Sequence, residues 1–184
     1  MDKVLRFSHR LLEEVLTNAD ISVDMTCGAG NDTLFLAKIS KKVYAFDIQE
    51  EAIKLTKEKT KDYDNIEYIL DSHVRANSYL NKEKIKGVIF NLGYLPNGDK
   101  SLTTKALDTV LAIKNILPLL EKGGIVVICL YPGHSEGKKE SEEVIKMVET
   151  LNQKEFEVLK YEYINQIHEP PFLIAIEKKI WDVL

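Results

Sequence analysis

The chain has 184 residues, 45% hydrophobic and 29% charged, with a net charge of −4. These values are ordinary for a soluble globular protein with a real core, and they lend no support to non-specific nucleic-acid binding without excluding it. No apolar run approaches a membrane span, and Met1 to His9 lacks a signal peptide's apolar core. Cys27 and Cys129 suit neither a metal cluster nor a disulfide framework, so one cytoplasmic domain over residues 1–184 is expected, with no metal and no membrane.

In chain order, Phe7, Leu11, Leu12, Val15 and Leu16 recur at helical spacing and predict an amphipathic helix over about 5–18. A strand at Ile21 to Asp24, a glycine loop and a crossover helix follow. A second strand runs from Lys42 to Asp47, a charged helix from Glu50 to Lys61, and a third strand from Asn65 to Leu70. Val74 to Leu80 predicts a short helix. Lys86 to Asn91 is a continuous apolar strand of the kind buried in a parallel sheet. After a loop from Leu92 to Ser101, a helix spans Thr103 to Leu117, with Leu107, Val110, Leu111 and Ile113 as its apolar residues, and Pro118 ends it. Gly123-Gly124 turns into a strand at Ile125 to Leu130. The loop Tyr131 to Gly137 leads to a helix over about Ser141 to Leu151, and Phe156 to Tyr163 with Phe172 to Glu177 closes the sheet as an antiparallel pair. The expected fold is α/β, a Rossmann-like doubly wound, mostly parallel sheet with right-handed crossovers.

Chemistry concentrates after the strands. Asp24-Met-Thr-Cys-Gly-Ala-Gly-Asn-Asp reads as strand, glycine turn, helix, the opening of a nucleotide-binding unit. Gly28 and Gly30 can take positive φ. A dinucleotide fingerprint wants a third glycine where Thr33 stands, and its pyrophosphate wants no negative charge at the helix start. Asp24 and Asp32 instead suit a cationic ligand at short range. S-adenosylmethionine carries a sulfonium and an ammonium and no phosphate, so it is the expected cofactor. Asp47, ending the second strand, stands where a carboxylate grips ribose hydroxyls. The blander reading is a turn with Asn31 or Asp32 capping a helix.

Asp71, Ser72 and His73 follow the third strand, the place that contacts the adenine in class I methyltransferases, and by that resemblance Ile48 and Gln49 flank its other side. After the fourth strand, Asn91-Leu92-Gly93-Tyr94 resembles the Asn-Pro-Pro-Tyr signature of methyltransferases acting on amino groups, without its prolines. Tyr131-Pro-Gly-His134-Ser-Glu-Gly137 suits a substrate loop. An aliphatic amine must shed a proton before it can attack, and His73 or His134 can take it. His9 and His168 have weaker claims.

Asp24-x-Thr-Cys-Gly-x-Gly-Asn-Asp-Thr-Leu-Phe-Leu-Ala37, Asn91-Leu-Gly-Tyr-Leu-Pro-x-Gly-Asp99 and Tyr131-Pro-Gly-His-x-Glu-Gly137 together resemble, in order and over nearly the whole chain, one small bacterial family. It was long filed as rRNA methylases and is understood as the class I methyltransferase of 5-aminomethyl-2-thiouridine at the tRNA wobble position. The resemblance implies an S-adenosylmethionine-dependent N-methyltransferase acting on the tRNA anticodon loop. Gly28, Asn31, Asp32, Asp47, Gln49, Ser72 and His73 would then line the cofactor. Asn91, Tyr94 and the His134 loop would face the uridine. No familiar RNA-binding module is present. A small-molecule or rRNA N- or O-methyltransferase shares every cofactor residue, and a non-catalytic binding protein would keep the glycine loop alone. A homodimer fits so compact a chain, but no interface is legible.

Overall fold

The computed structural model describes residues 2–92 and 105–180. Seven strands form one sheet in the order β3-β2-β1-β4-β5-β7-β6. These are β1 Ile21–Asp24, β2 Lys42–Asp47, β3 Ile66–Leu70, β4 Ile85–Asn91, β5 Leu120–Leu130, β6 Phe156–Tyr161 and β7 Phe172–Lys178. All neighbours run parallel except β7, which is antiparallel to both β5 and β6. The doubly wound sheet with its antiparallel closing pair is the expected architecture. The chain reverses its direction of winding between β1 and β4, which opens a crevice at their carboxyl ends.

Strand side chains alternate between two cores. Val88 and Phe90 of β4, with Val126, Ile128 and Leu130 of β5, face α4 Ala76–Tyr79, α5 Ala106–Ile116 and α6 Ser135–Val148. Ile89, Ile125, Val127 and Cys129 face the opposite way, toward α1 Val4–Val15 and α2 Asn31–Ile39. On that same side α3 Glu50–Lys59 covers Ala45 with Ile53. Helix α1 buries Val4, Phe7, Ser8 and Leu12. It lies so close to the sheet that a Cβ on Gly87 would sit 2.8 Å from Leu16 Cδ1 and 3.0 Å from Leu12 Cδ2. Among the described residues no helix is long and apolar enough to cross a membrane.

Three expectations shift. Strand β5 begins at Leu120 and runs through the glycine pair; Gly123 takes φ +68°, and the register with β4 slips between Ile85 and Gly87, so the pair makes an irregularity within a strand where a turn was expected. Helix α6 begins at Ser135 because His134 Nδ1 accepts the Gly137 N–H at 3.1 Å and caps it early. Of the apolar residues named for helix α5, Ile113 points inward with Thr109, Ala112 and Ile116, while Leu107 and Leu111 are exposed. Small side chains at 109 and 112 let α5 and α6 approach, and Thr109 Oγ1 donates to the buried Glu140 Oε1 at 2.6 Å across that seam.

Candidate active site

A cavity of about 930 Å³ opens at the carboxyl ends of β1, β2, β3, β4 and β5. Gly28, Asn31, Asp32, Asp47, Gln49, Asp71, Ser72, His73, Asn91 and His134 all line it, ten of the predicted site residues drawn from five loops. Asp24 and Gly30 do not line it. Tyr94, with the rest of residues 93–104, lies outside the described residues.

Gly28 and Gly30 take φ of 51° and 77°. Gly30 is required by packing: a Cβ there would lie 2.8 Å from Thr56 Cα, so the turn seats α2 directly against α3. Asp47 is held by the same turn. Its Oδ2 accepts the Gly28 N–H at 3.0 Å and its Oδ1 accepts the Gln49 N–H at 3.0 Å. Each oxygen keeps a second lone pair for a hydroxyl.

The buried Asp24 lies under the loop. Its Oδ2 accepts from Thr33 Oγ1 at 2.6 Å and its Oδ1 from the Thr26 N–H at 3.1 Å. Thr33, which stands where a dinucleotide site has its third glycine, is thus the residue that ties α2 to β1. Burial, and then the charge of Asp32, push the Asp24 carboxyl up from 3.8 to about 8. The loop therefore carries less negative charge at neutral pH than two aspartates in the sequence suggest.

Asp32, at the start of α2, is 4% exposed and is bonded to two other elements. Its Oδ1 lies 2.7 Å from His9 Nε2 of α1, and its Oδ2 accepts from Asn91 Nδ2 at 3.0 Å. Asn91 Oδ1 in turn accepts from the Tyr131 hydroxyl at 2.8 Å, and the Asn91 N–H donates to Thr26 Oγ1 at 2.8 Å. The amide of Asn91 is thereby fixed in orientation: its nitrogen is committed to Asp32, and its oxygen has a second lone pair left. Burial, then Cys129 and Asp32, raise the Tyr131 hydroxyl well above its ordinary range, so it remains a donor.

On the β3 side, burial alone would raise Asp71, but hydrogen bonds from Tyr79, Arg75 and the Ser72 N–H outweigh it and hold its carboxyl below the ordinary range. His73 is 8% exposed; burial lowers its pKa, so the ring is neutral. Its Nε2 is buried and has no hydrogen-bond partner among the described residues. That nitrogen is closed off from solvent, so the ring meets the cavity with its other atoms. The half-exposed Ile48 and the buried Met25 and Leu92 add apolar wall. Carboxylates and apolar wall together fit the nucleoside of the expected cofactor.

Residues 43–177 match the family described as "Putative rRNA methylase". The chain belongs to that family. A protein described as a "putative methyltransferase" from Streptococcus mutans, solved in complex with SAH, is 44% identical with a TM-score of 0.91, covering 97% of this chain and 99% of that one. A structure described as a "putative rRNA-methylase" from Clostridium thermocellum is 38% identical with a TM-score of 0.94, covering 97% and 98%. The chloroplastic tRNA (mnm(5)s(2)U34)-methyltransferase of Arabidopsis thaliana is 29% identical over 192 residues, 96% of this chain and 70% of the relative. The sheet described above is thus the class I methyltransferase fold.

Two residues of this methylase's site carried little sequence signal. Tyr131 reads as the first residue of a loop, yet its hydroxyl reaches Asn91. His9 sits on an amphipathic helix before the first strand, and only the tertiary packing of α1 across β4 and β5 brings it to Asp32. The nearest signal for His9 is that it is a polar aromatic next to the inward-facing Ser8.

Proposed function

We propose that this methylase transfers a methyl group to the exocyclic amine of 5-aminomethyl-(2-thio)uridine at the tRNA wobble position, giving the methylaminomethyl form. The methyl donor is S-adenosylmethionine. In this reading Asp47 accepts from the ribose hydroxyls, and Ile48, Gln49, Asp71, Ser72 and His73 flank the adenine. Gly28 and Asn31 line the amino-acid end. When bound, the cofactor supplies an activated methyl group on a sulfonium.

The observation that carries the acceptor assignment is the fixed amide of Asn91. It stands at the end of β4 with Nδ2 committed to Asp32 and a lone pair left on Oδ1. That acceptor suits an amine N–H and orients the nitrogen's electron pair away from the amide. Asp32 beside it favours the cationic form on entry. Tyr94 is proposed to pack on the uracil ring, and His134 to border the substrate through its loop. Likeness to the Arabidopsis enzyme over 96% of this chain supports the tRNA reading; the description of the family favours rRNA as the alternative substrate.

The test is methyl transfer from labelled S-adenosylmethionine to bulk tRNA and to ribosomal RNA, each from cells lacking this enzyme, with nucleoside analysis. Label in methylaminomethyl-(2-thio)uridine is the expected result. Label confined to ribosomal RNA would transfer the reading to the alternative substrate.

A further inference from the structure

We infer that His9 is a positioning residue of the transfer: from helix α1 it locks the Asp32 carboxylate against Asn91, and the Asp32 it holds takes the proton of the substrate ammonium. The inference rests on the proposed amine acceptor and adds to it a role for a helix outside the nucleotide-binding loops.

Four facts converge. His9 Nε2 is 2.7 Å from Asp32 Oδ1, close for a hydrogen bond between ring nitrogen and carboxylate. The His9 ring lies flat on Phe35, centroids 3.9 Å apart and planes 2° apart, so its own orientation is fixed. The other Asp32 oxygen is held by Asn91, and Asp32 and Asn91 both line the cavity whereas His9 does not. The His9 side chain is 25% exposed against 5% for Asp32, so the pair runs from the cavity wall to solvent. A capping aspartate needs no partner from another helix; this one has partners on α1 and β4.

The chemistry requires such a group. An aliphatic amine arrives as R–NH3+ and has no lone pair. One N–H bond breaks, its proton passes to the Asp32 carboxylate, and the electron pair stays on nitrogen. That pair forms the new N–C bond to the methyl carbon as the C–S bond breaks and its electrons pass to sulfur. The product is R–NH2+–CH3, and the protonated Asp32 returns its proton to water. With Nε2–H donated to Oδ1, His9 keeps the carboxylate from rotating off Asn91 and leaves the second lone pair of Oδ2 to meet the amine. Such orientation is worth about ten- to a hundred-fold in rate.

The experiment compares wild type with His9→Leu and His9→Gln on tRNA from cells lacking this enzyme. It reads kcat and KM for the tRNA, the dissociation constant of S-adenosylhomocysteine and the melting temperature. His9→Leu is expected to lower kcat by about ten- to a hundred-fold while S-adenosylhomocysteine binds as before. His9→Gln, which can still donate to Asp32, recovers most of the rate. If His9→Leu does not fold, His9→Phe, which keeps the stack on Phe35, carries the same test. An unchanged kcat in the folded variant overturns the inference, and so does a loss matched by weaker binding of S-adenosylhomocysteine; in both cases wild type still methylates the tRNA amine and the proposed function stands. If wild type labels no tRNA amine, the function falls, and this role for His9 falls with it.

Discussion

Replacing Asp24 by asparagine tests the electrostatics under the glycine loop. In the folded protein Asp24 titrates at about 8, against 3.8 for the free side chain, because it is buried and faces Asp32. Between those two values the folded protein holds a proton that the unfolded chain has released. The native state therefore binds more protons, and the free energy of unfolding falls as pH rises from about 4 to about 8. At roughly 1.4 kcal/mol per pKa unit the whole span is on the order of 6 kcal/mol. An asparagine side chain has no proton to lose. Its Oδ1 accepts from the Thr26 N–H as the carboxylate does, and its Nδ2 donates to Thr33 Oγ1 once that hydroxyl turns round. The assay is urea unfolding followed by circular dichroism from about pH 5 to about pH 9, with equal slopes for the two proteins. The stability difference should widen in favour of Asp24→Asn up to about pH 8 and then stay constant. A difference independent of pH, or one that widens in favour of wild type, would refute the burial of a protonated carboxyl here.

Asp47→Ala removes the acceptor of the Gly28 and Gln49 N–H groups. It should weaken S-adenosylhomocysteine binding about ten- to a hundred-fold in calorimetric titration, at about 1.5–3 kcal/mol for a hydrogen bond to a charged group; unchanged affinity would remove Asp47 from the site. Asn91→Ala should lower kcat by about a hundred-fold with little change in that affinity, and an equal loss of affinity in the two variants would end this division of roles. Gly30→Ala combines φ +77° with a Cβ 2.8 Å from Thr56 Cα. A cost of about 2–4 kcal/mol should lower the melting temperature by roughly 4–16 °C, and an unmoved melt would contradict the close seating of α2 on α3.

What the sequence made legible was local. Alternating apolar runs and glycine turns mark the strands and crossovers. The rule that ligands sit outside the carboxyl ends of such strands gathers residues as distant as Gly28 and His134 on one edge. Three kinds of information stayed hidden. The face that α5 buries depends on what Thr109 and Ala112 meet across the seam with α6, and no single-helix pattern contains its partner. The start of α6 depends on one imidazole nitrogen turning back to Gly137. The two aspartates of the glycine loop look alike in the sequence, but their surroundings separate them. Asp24 lies under the turn, bonded to Thr33 and Thr26, and Asp32 lines the cavity, bonded to His9 and Asn91.

The placement of His9 shows why a site on this fold is not confined to its loops. Residue 9 reaches Asp32 only if α1 lies across β4 and β5 at one height, and several separate contacts set that height. Gly87 admits Leu12 and Leu16 to the sheet surface. Phe7 stacks on Tyr161 of β6 at 4.2 Å, and the Tyr161 hydroxyl donates to the Asp2 carbonyl at 2.8 Å, joined there by Tyr163. The last strands of the sheet thus fasten the first helix, and the first helix supplies the outer end of the chain His9, Asp32, Asn91, Tyr131. Each link in that chain belongs to a different element, α1, α2 and β4, with the last just beyond β5. A shift of α1 by about one ångström, a misplacement large enough to cost rate, would break the 2.7 Å contact at its end while leaving the nucleotide half of the cavity intact. Loss at the packing of Gly87 or Tyr161 should therefore appear in the transfer rate before it appears in cofactor binding.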